Sequence, residues 1–147
     1  MAGIEVSGVA QGGGADVYSA KQLQQMSQQL RQQEGLRTTG VAGESLKKYP
    51  GHFTMLTVRT ASGGAELHEH HADFFFVVDG EATLTTGGNI VNPTSTGPGE
   101  TRGTAVEGGL QRPLHKGDVV HISANTPHQI SLAKGESFTY FVIKVHE

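Results

Sequence analysis

The chain has 147 residues, 35% apolar and 17% charged, with a formal net charge of −3; that length suits one core, and the charge lacks the basic footprint that nucleic acid requires. There is no cysteine, which excludes disulfides, thiolate zinc sites and cysteine nucleophiles. No run of about 18 apolar residues marks a helical membrane span, and no charged start followed by an apolar core marks a signal peptide. The expected location is the cytoplasm, with the periplasm or secretion as the alternative for a chain already trimmed of a leader.

Glycine is abundant, 21 of 147 residues, about twice the usual ~7% share. Many glycines between short apolar runs predict a turn-rich, all-β architecture. Residues 1–16 read as a flexible N-terminal arm, in which Ile4, Val6 and Val9 could add an edge strand. Residues 19–34 form the one convincing helix. Ser19 can cap it, Gln22 completes a capping box, Leu23, Met26 and Leu30 share a stripe, and Gly35 is placed to end it. This helix is expected to lie against the outside of a sheet.

From residue 53 the pattern turns to strands. Residues 53–60 are rich in β-branched and apolar side chains, 74–78 form a nearly continuous apolar run, and Gly80 turns that run into 81–86. Residues 90–91 resume briefly. Residues 92–109 then hold two prolines and five glycines and read as a long excursion, with Glu100, Arg102 and Glu107 as solvated loop charges or as groups reaching over a pocket. Further strands follow at 110–114, 119–123, 128–132 and 138–145. Roughly eight strands with frequent turns match a sandwich or small barrel.

The stretch from Leu67 to Gly80 carries the chemistry. His68, His70 and His71 lie within four residues there, and Asp73 follows. Two histidines one residue apart on a strand project to the same side, so His68 and His70 can meet one ion. Asp73 is the nearby carboxylate, and His128, directly after Pro127, is the natural remote imidazole. A surface histidine patch is the competing explanation. His121, on the strand before that turn, is a candidate acid or base or else a hydrogen-bonded histidine without a catalytic part. His52, His115 and His146 read as exposed, and Phe74, Phe75 and Phe76 as core packing and dimer contact.

These residues resemble the two motifs of the cupin superfamily. The first motif is a glycine, His-x-His, a glutamate three or four residues later, and a glycine six residues beyond it. Gly63 or Gly64, His68, His70, Asp73 and Gly80 are similar to it, and the run from Gly117 to His128 is similar to the second motif. The resemblance covers about residues 53–145. Asp73 stands in place of glutamate, only two residues separate it from His70, Ser123 and Asn125 replace the usual proline and glycine, and Leu132 replaces a frequent asparagine. Counting back from Gly80, the inward parity falls on Asp73, Phe75 and Val77. His71 shares it, so His71 is the substitute ligand unless a bulge at residues 71–72 resets the strand.

The resemblance implies a double-stranded β-helix, or jelly-roll barrel, over residues 17–147. It further implies one divalent transition metal ion (Fe, Mn, Ni, Cu or Zn) on His68, His70, Asp73 and His128. The expected function is that of a metalloenzyme acting on a small polar organic molecule by oxygenase, isomerase or lyase chemistry, with His121 as a proton shuttle. The alternative is a non-catalytic binding or sensing protein. A homodimer is expected, and neither nucleic acid nor membrane is an expected partner.

Overall fold

A computed structural model describes residues 13–147, so the edge strand expected within residues 4–9 lies outside the described residues. Two helices, α1 (Ala20–Arg31) and α2 (Glu34–Thr39), lead into β1 (Val41–Tyr49), β2 (His52–Arg59), β3 (Ala65–His68) and β4 (His71–Thr86). The central excursion contains β5 (Asn89–Val91), β6 (Thr94–Gly97), β7 (Glu100–Gly103) and β8 (Ala105–Glu107). The chain closes with β9 (Leu110–His115), β10 (Val119–Ile122), β11 (His128–Ser131) and β12 (Phe138–His146). This is the curled, antiparallel, all-β architecture expected.

The start of α1 forms as its sequence requires. Gln22 N–H donates to the Ser19 hydroxyl at 3.1 Å, and Ser19 N–H donates to Gln22 Oε1 at 2.8 Å, so two otherwise orphaned donors are satisfied. Met26 and Leu30 bury against Leu56 and Val58 on the outer face of the sheet. Gly35 does not end the helical region. It lies inside α2, and Gly40, left-handed at φ 75°, provides the stop.

β4 organises the barrel. Its first half pairs with β12 and β10, and its second half with β11 and β9, so one strand of 16 residues belongs to both faces. Gly80 sits at the changeover and does not make a hairpin. Its φ is 86°, and a Cβ there would run into the Ser137 carbonyl oxygen. Alternation along β4 turns Phe75, Val77, Ala82 and Leu84 into a core completed by Leu114, Ile122, Ile130, Phe138 and Val142. Each large apolar side chain fully buried there contributes about 1.5–3 kcal/mol. The same alternation carries Asp73 inward beside Ile122 and Lys144, its register partners on β10 and β12.

The excursion is sheet rather than loop. β7 pairs with both β3 and β6, which sets Glu100 opposite His68 and Arg102 opposite Glu66.

Gly80→Ala should lower the midpoint of urea unfolding markedly, because αL strain of about 1–3 kcal/mol adds to the clash with Ser137. Gly87→Ala has a similar φ of 80° and nothing within 4 Å, so it should cost less. Equal midpoints for the two variants would contradict the close approach at Gly80.

Candidate functional site

β3 ends at His68 and β4 begins at His71, with a bend at Glu69 and His70 between them. That bend resets the side-chain parity. Glu66 and His68 point inward from β3, Asp73 from β4 and His128 from β11, and all four line a cavity of about 710 Å³. His128 and Glu66 are register partners across β11 and β3.

Four atoms converge. His128 Nε2 lies 3.4 Å from Glu66 Oε2 and 3.5 Å from Asp73 Oδ2, and His68 Nε2 lies 3.7 and 3.6 Å from the same two oxygens. The far side of each ring is held. His128 Nδ1 donates to the Thr126 carbonyl at 2.9 Å, and His68 Nδ1 donates to Glu100 Oε1 at 2.7 Å. Such contacts leave the Nε2 lone pair of a neutral imidazole facing the cluster. His128 Nε2 is buried without a hydrogen-bond partner, an arrangement that costs free energy unless another group completes it.

Positive charge surrounds the carboxylates. Lys144 Nζ lies 2.7 Å from Asp73 Oδ1 and 3.2 Å from His68 Nε2. Its approach to Asp73 is an ion-pair contact without the alignment of a good hydrogen bond. Arg102 and Arg59 stand 3.8 and 3.9 Å from Glu66 Oε1, and Arg59 Nε donates to the Tyr140 hydroxyl at 3.0 Å. Burial works against ionisation of Glu66, yet the His128 and His68 rings in their protonated form and the Arg102 charge lower its carboxyl below the usual carboxylate range. Burial also works against the His68 imidazolium, and Lys144 repels it, but Glu66, Asp73 and Glu100 outweigh both and raise it above the ordinary histidine value.

These residues fit a metal ion. Donors about 2.1 Å from one ion stand about 3.0 Å apart in an octahedron and about 3.4 Å apart in a tetrahedron, close to the 3.4–3.7 Å found between the imidazole nitrogens and carboxylate oxygens. Among the described residues, Glu66, His68 and His128 form a group whose ligand atoms all lie within 4.8 Å of one another.

No family model matches the sequence, and no curated protein sequence is similar to it. Solved structures are similar in fold. An uncharacterised double-stranded β-helix protein from Klebsiella pneumoniae superposes with a TM-score of 0.57 at 14% identity, covering 88% of this chain and 88% of that one. The cupin domain of Cnp3 from Schizosaccharomyces pombe gives a TM-score of 0.56 at 12% identity, covering 74% of this chain and 66% of that one. The chain has the cupin fold. The polyketide cyclase RemF from Streptomyces resistomycificus, at 14% identity and a TM-score of 0.51, covers 74% of this chain and 67% of its own.

Within the cupin frame, the first motif sits two residues earlier than His68-x-His70 suggests. Glu66 and His68 take the two positions of His-x-His, four residues then separate His68 from Asp73, and six separate Asp73 from Gly80. The short spacing measured from His70 disappears. His70 lies at the rim with its side chain 62% exposed, 3.9 Å from Glu69, away from the converging atoms. His71 does share the parity of Asp73. It lines the mouth of the cavity, packed edge-on to His146 and near Phe53. His121 is turned to the outside of the barrel, opposite Phe74 on β4 and against its ring, so it does not face the cavity. Glu66 carries a carboxylate where the family motif has an imidazole, so residue type alone does not point to it; the four-residue gap between His68 and Asp73 is the available signal. Of the two expectations for the charges of the excursion, Glu100 and Arg102 follow the second: they line the cavity through β7.

In the metal-free protein, Glu66→Gln should lower the pKa of His68, since it removes the leading carboxylate that opposes burial. An imidazole NMR titration reads this directly. A His68 titration unchanged in Glu66→Gln would show that the two side chains do not interact as described.

Proposed function

We propose that this cupin is a metalloenzyme in which Glu66, His68 and His128 hold a divalent transition ion, with Asp73 facing the same point, and which acts on a small polar organic molecule in the barrel cavity. The observation that carries this reading is the buried, unpartnered Nε2 of His128 aimed at two carboxylate oxygens and a second imidazole. Two imidazoles with oxygen donors suit Fe, Mn, Ni, Cu or Zn. Such an ion supplies Lewis-acid polarisation of a coordinated oxygen.

The chain's own residues shape what reaches it. Phe75, Ile122, Ile130 and Val142 make an apolar inner wall that excludes water and strengthens the electrostatics near the cluster. The Tyr140 hydroxyl, fixed by Arg59, and the Lys144 ammonium face the same cavity as hydrogen-bond donors. The cavity size lies within the usual ~300–1,000 Å³ for small-molecule sites. The polar wall thus comes from β2 and β12 rather than from His121, and it favours turnover of a polar ligand over binding against an apolar surface.

Elemental analysis of purified protein should find about one divalent ion per chain. His128→Ala and Glu66→Ala should lose most of it, whereas His70→Ala should keep it. Glu100→Ala, which frees the outer nitrogen of His68, should weaken metal affinity by about 10- to 100-fold. Retention of metal in Glu66→Ala together with its loss in His70→Ala would refute the ligand set.

A further inference from the structure

Charge and placement single out one further residue. The charged side chains lining the cavity are Arg59, Arg102 and Lys144 against Glu66, Asp73 and Glu100. With the histidines neutral these cancel. A divalent ion therefore leaves two positive charges uncompensated in a space walled partly by apolar side chains. Such a cavity selects a ligand that carries negative charge.

The three cations are not equivalent. Arg59 is engaged by the Tyr140 hydroxyl and Glu66, and Arg102 by Glu66, Glu100 and the Thr101 carbonyl. Lys144 is mostly buried, with its side chain 16% exposed, and its partners are Asp73 and His68. Both of those groups face the proposed ion. The His68 Nε2 lone pair cannot serve the ammonium and an ion together, and the Asp73 charge is shared once an ion arrives. Lys144 then keeps its charge on a flexible stem, with Asp73 as its remaining neighbour and ammonium donors to spare for a ligand. Its register pairing with Asp73 on β4 keeps that ammonium beside the site.

Resting on the metal reading above, we infer that Lys144 is the anion anchor of the cavity, and that the ligand is a small carboxylate able to chelate the ion through one oxygen while a second, anionic oxygen takes the Lys144 ammonium. The same residue helps the barrel hold its inward carboxylates without an ion: the ammonium stands against Asp73, as Arg59 and Arg102 stand against Glu66. Lys144 is a specificity-determining residue in this assignment and not a metal ligand.

The test uses zinc-loaded protein, desalted and checked for metal content, titrated calorimetrically with oxalate and with its neutral analogue oxamide. Oxalate should bind the wild type and oxamide far more weakly. Lys144→Met should keep its zinc and weaken oxalate binding by about 10- to 100-fold, the worth of a charged hydrogen bond. Lys144→Arg, which keeps the charge, should recover most of the affinity and guards against a folding defect in the methionine variant. Oxalate affinity unchanged in Lys144→Met, with zinc retained, would overturn the anchor while leaving the metal reading intact. Loss of zinc in Lys144→Met would overturn it too, by making Lys144 a support of the ligands. A wild-type protein that takes up no zinc or other divalent ion would instead sink the metal reading, and the anchor with it.

Discussion

Two inward carboxylates, Glu66 and Asp73, facing the same pair of imidazole nitrogens are the constraint around which the interior is arranged. Their like charges repel, and burial adds to that cost. The barrel answers with cations from three different strands: Arg59 on β2, Arg102 on β7 and Lys144 on β12. Arg102 and Lys144 reach the cluster through cross-strand register, opposite Glu66 and Asp73. The histidines complete the arrangement, with their outer nitrogens tied to Glu100 and Thr126 and their inner nitrogens left facing the oxygens.

This explains why β4 matters more than any other strand. It carries Asp73 at one end and core residues along the rest, and it joins both faces of the barrel through the glycine at its changeover. Its pairing with β12 places Lys144 beside Asp73, and its pairing with β11 places His128 within reach. The site and the fold therefore share the same hydrogen-bond ladders.

Much of the barrel was legible from the sequence. Apolar and β-branched runs marked β2, β4, β10, β11 and β12, and the Ser19–Gln22 pair marked the start of α1. β1 was not legible, because Gly43, Glu44, Ser45, Lys47 and Lys48 are poor strand formers; pairing with β2 supplies what propensity lacks. β6, β7 and β8 were hidden by prolines and glycines that mark turns between very short strands. At the site, His68, Asp73 and His128 were singled out from residue type and spacing, and the fold brings their side chains together. Glu66 was not, because a carboxylate standing where an imidazole is expected looks like an ordinary surface charge until the parity is set. That parity depends on the bend at Glu69 and His70, a tertiary feature with no strong turn signal of its own.

The most direct test is a crystal structure of the zinc-loaded protein with anomalous diffraction data. The expected result is one ion about 2.0–2.2 Å from His68 Nε2, His128 Nε2 and a Glu66 carboxylate oxygen, with His70 free at the rim. An ion held instead by His70, His71 and His146 at the mouth of the cavity, with Glu66 still turned to its arginines, would contradict it.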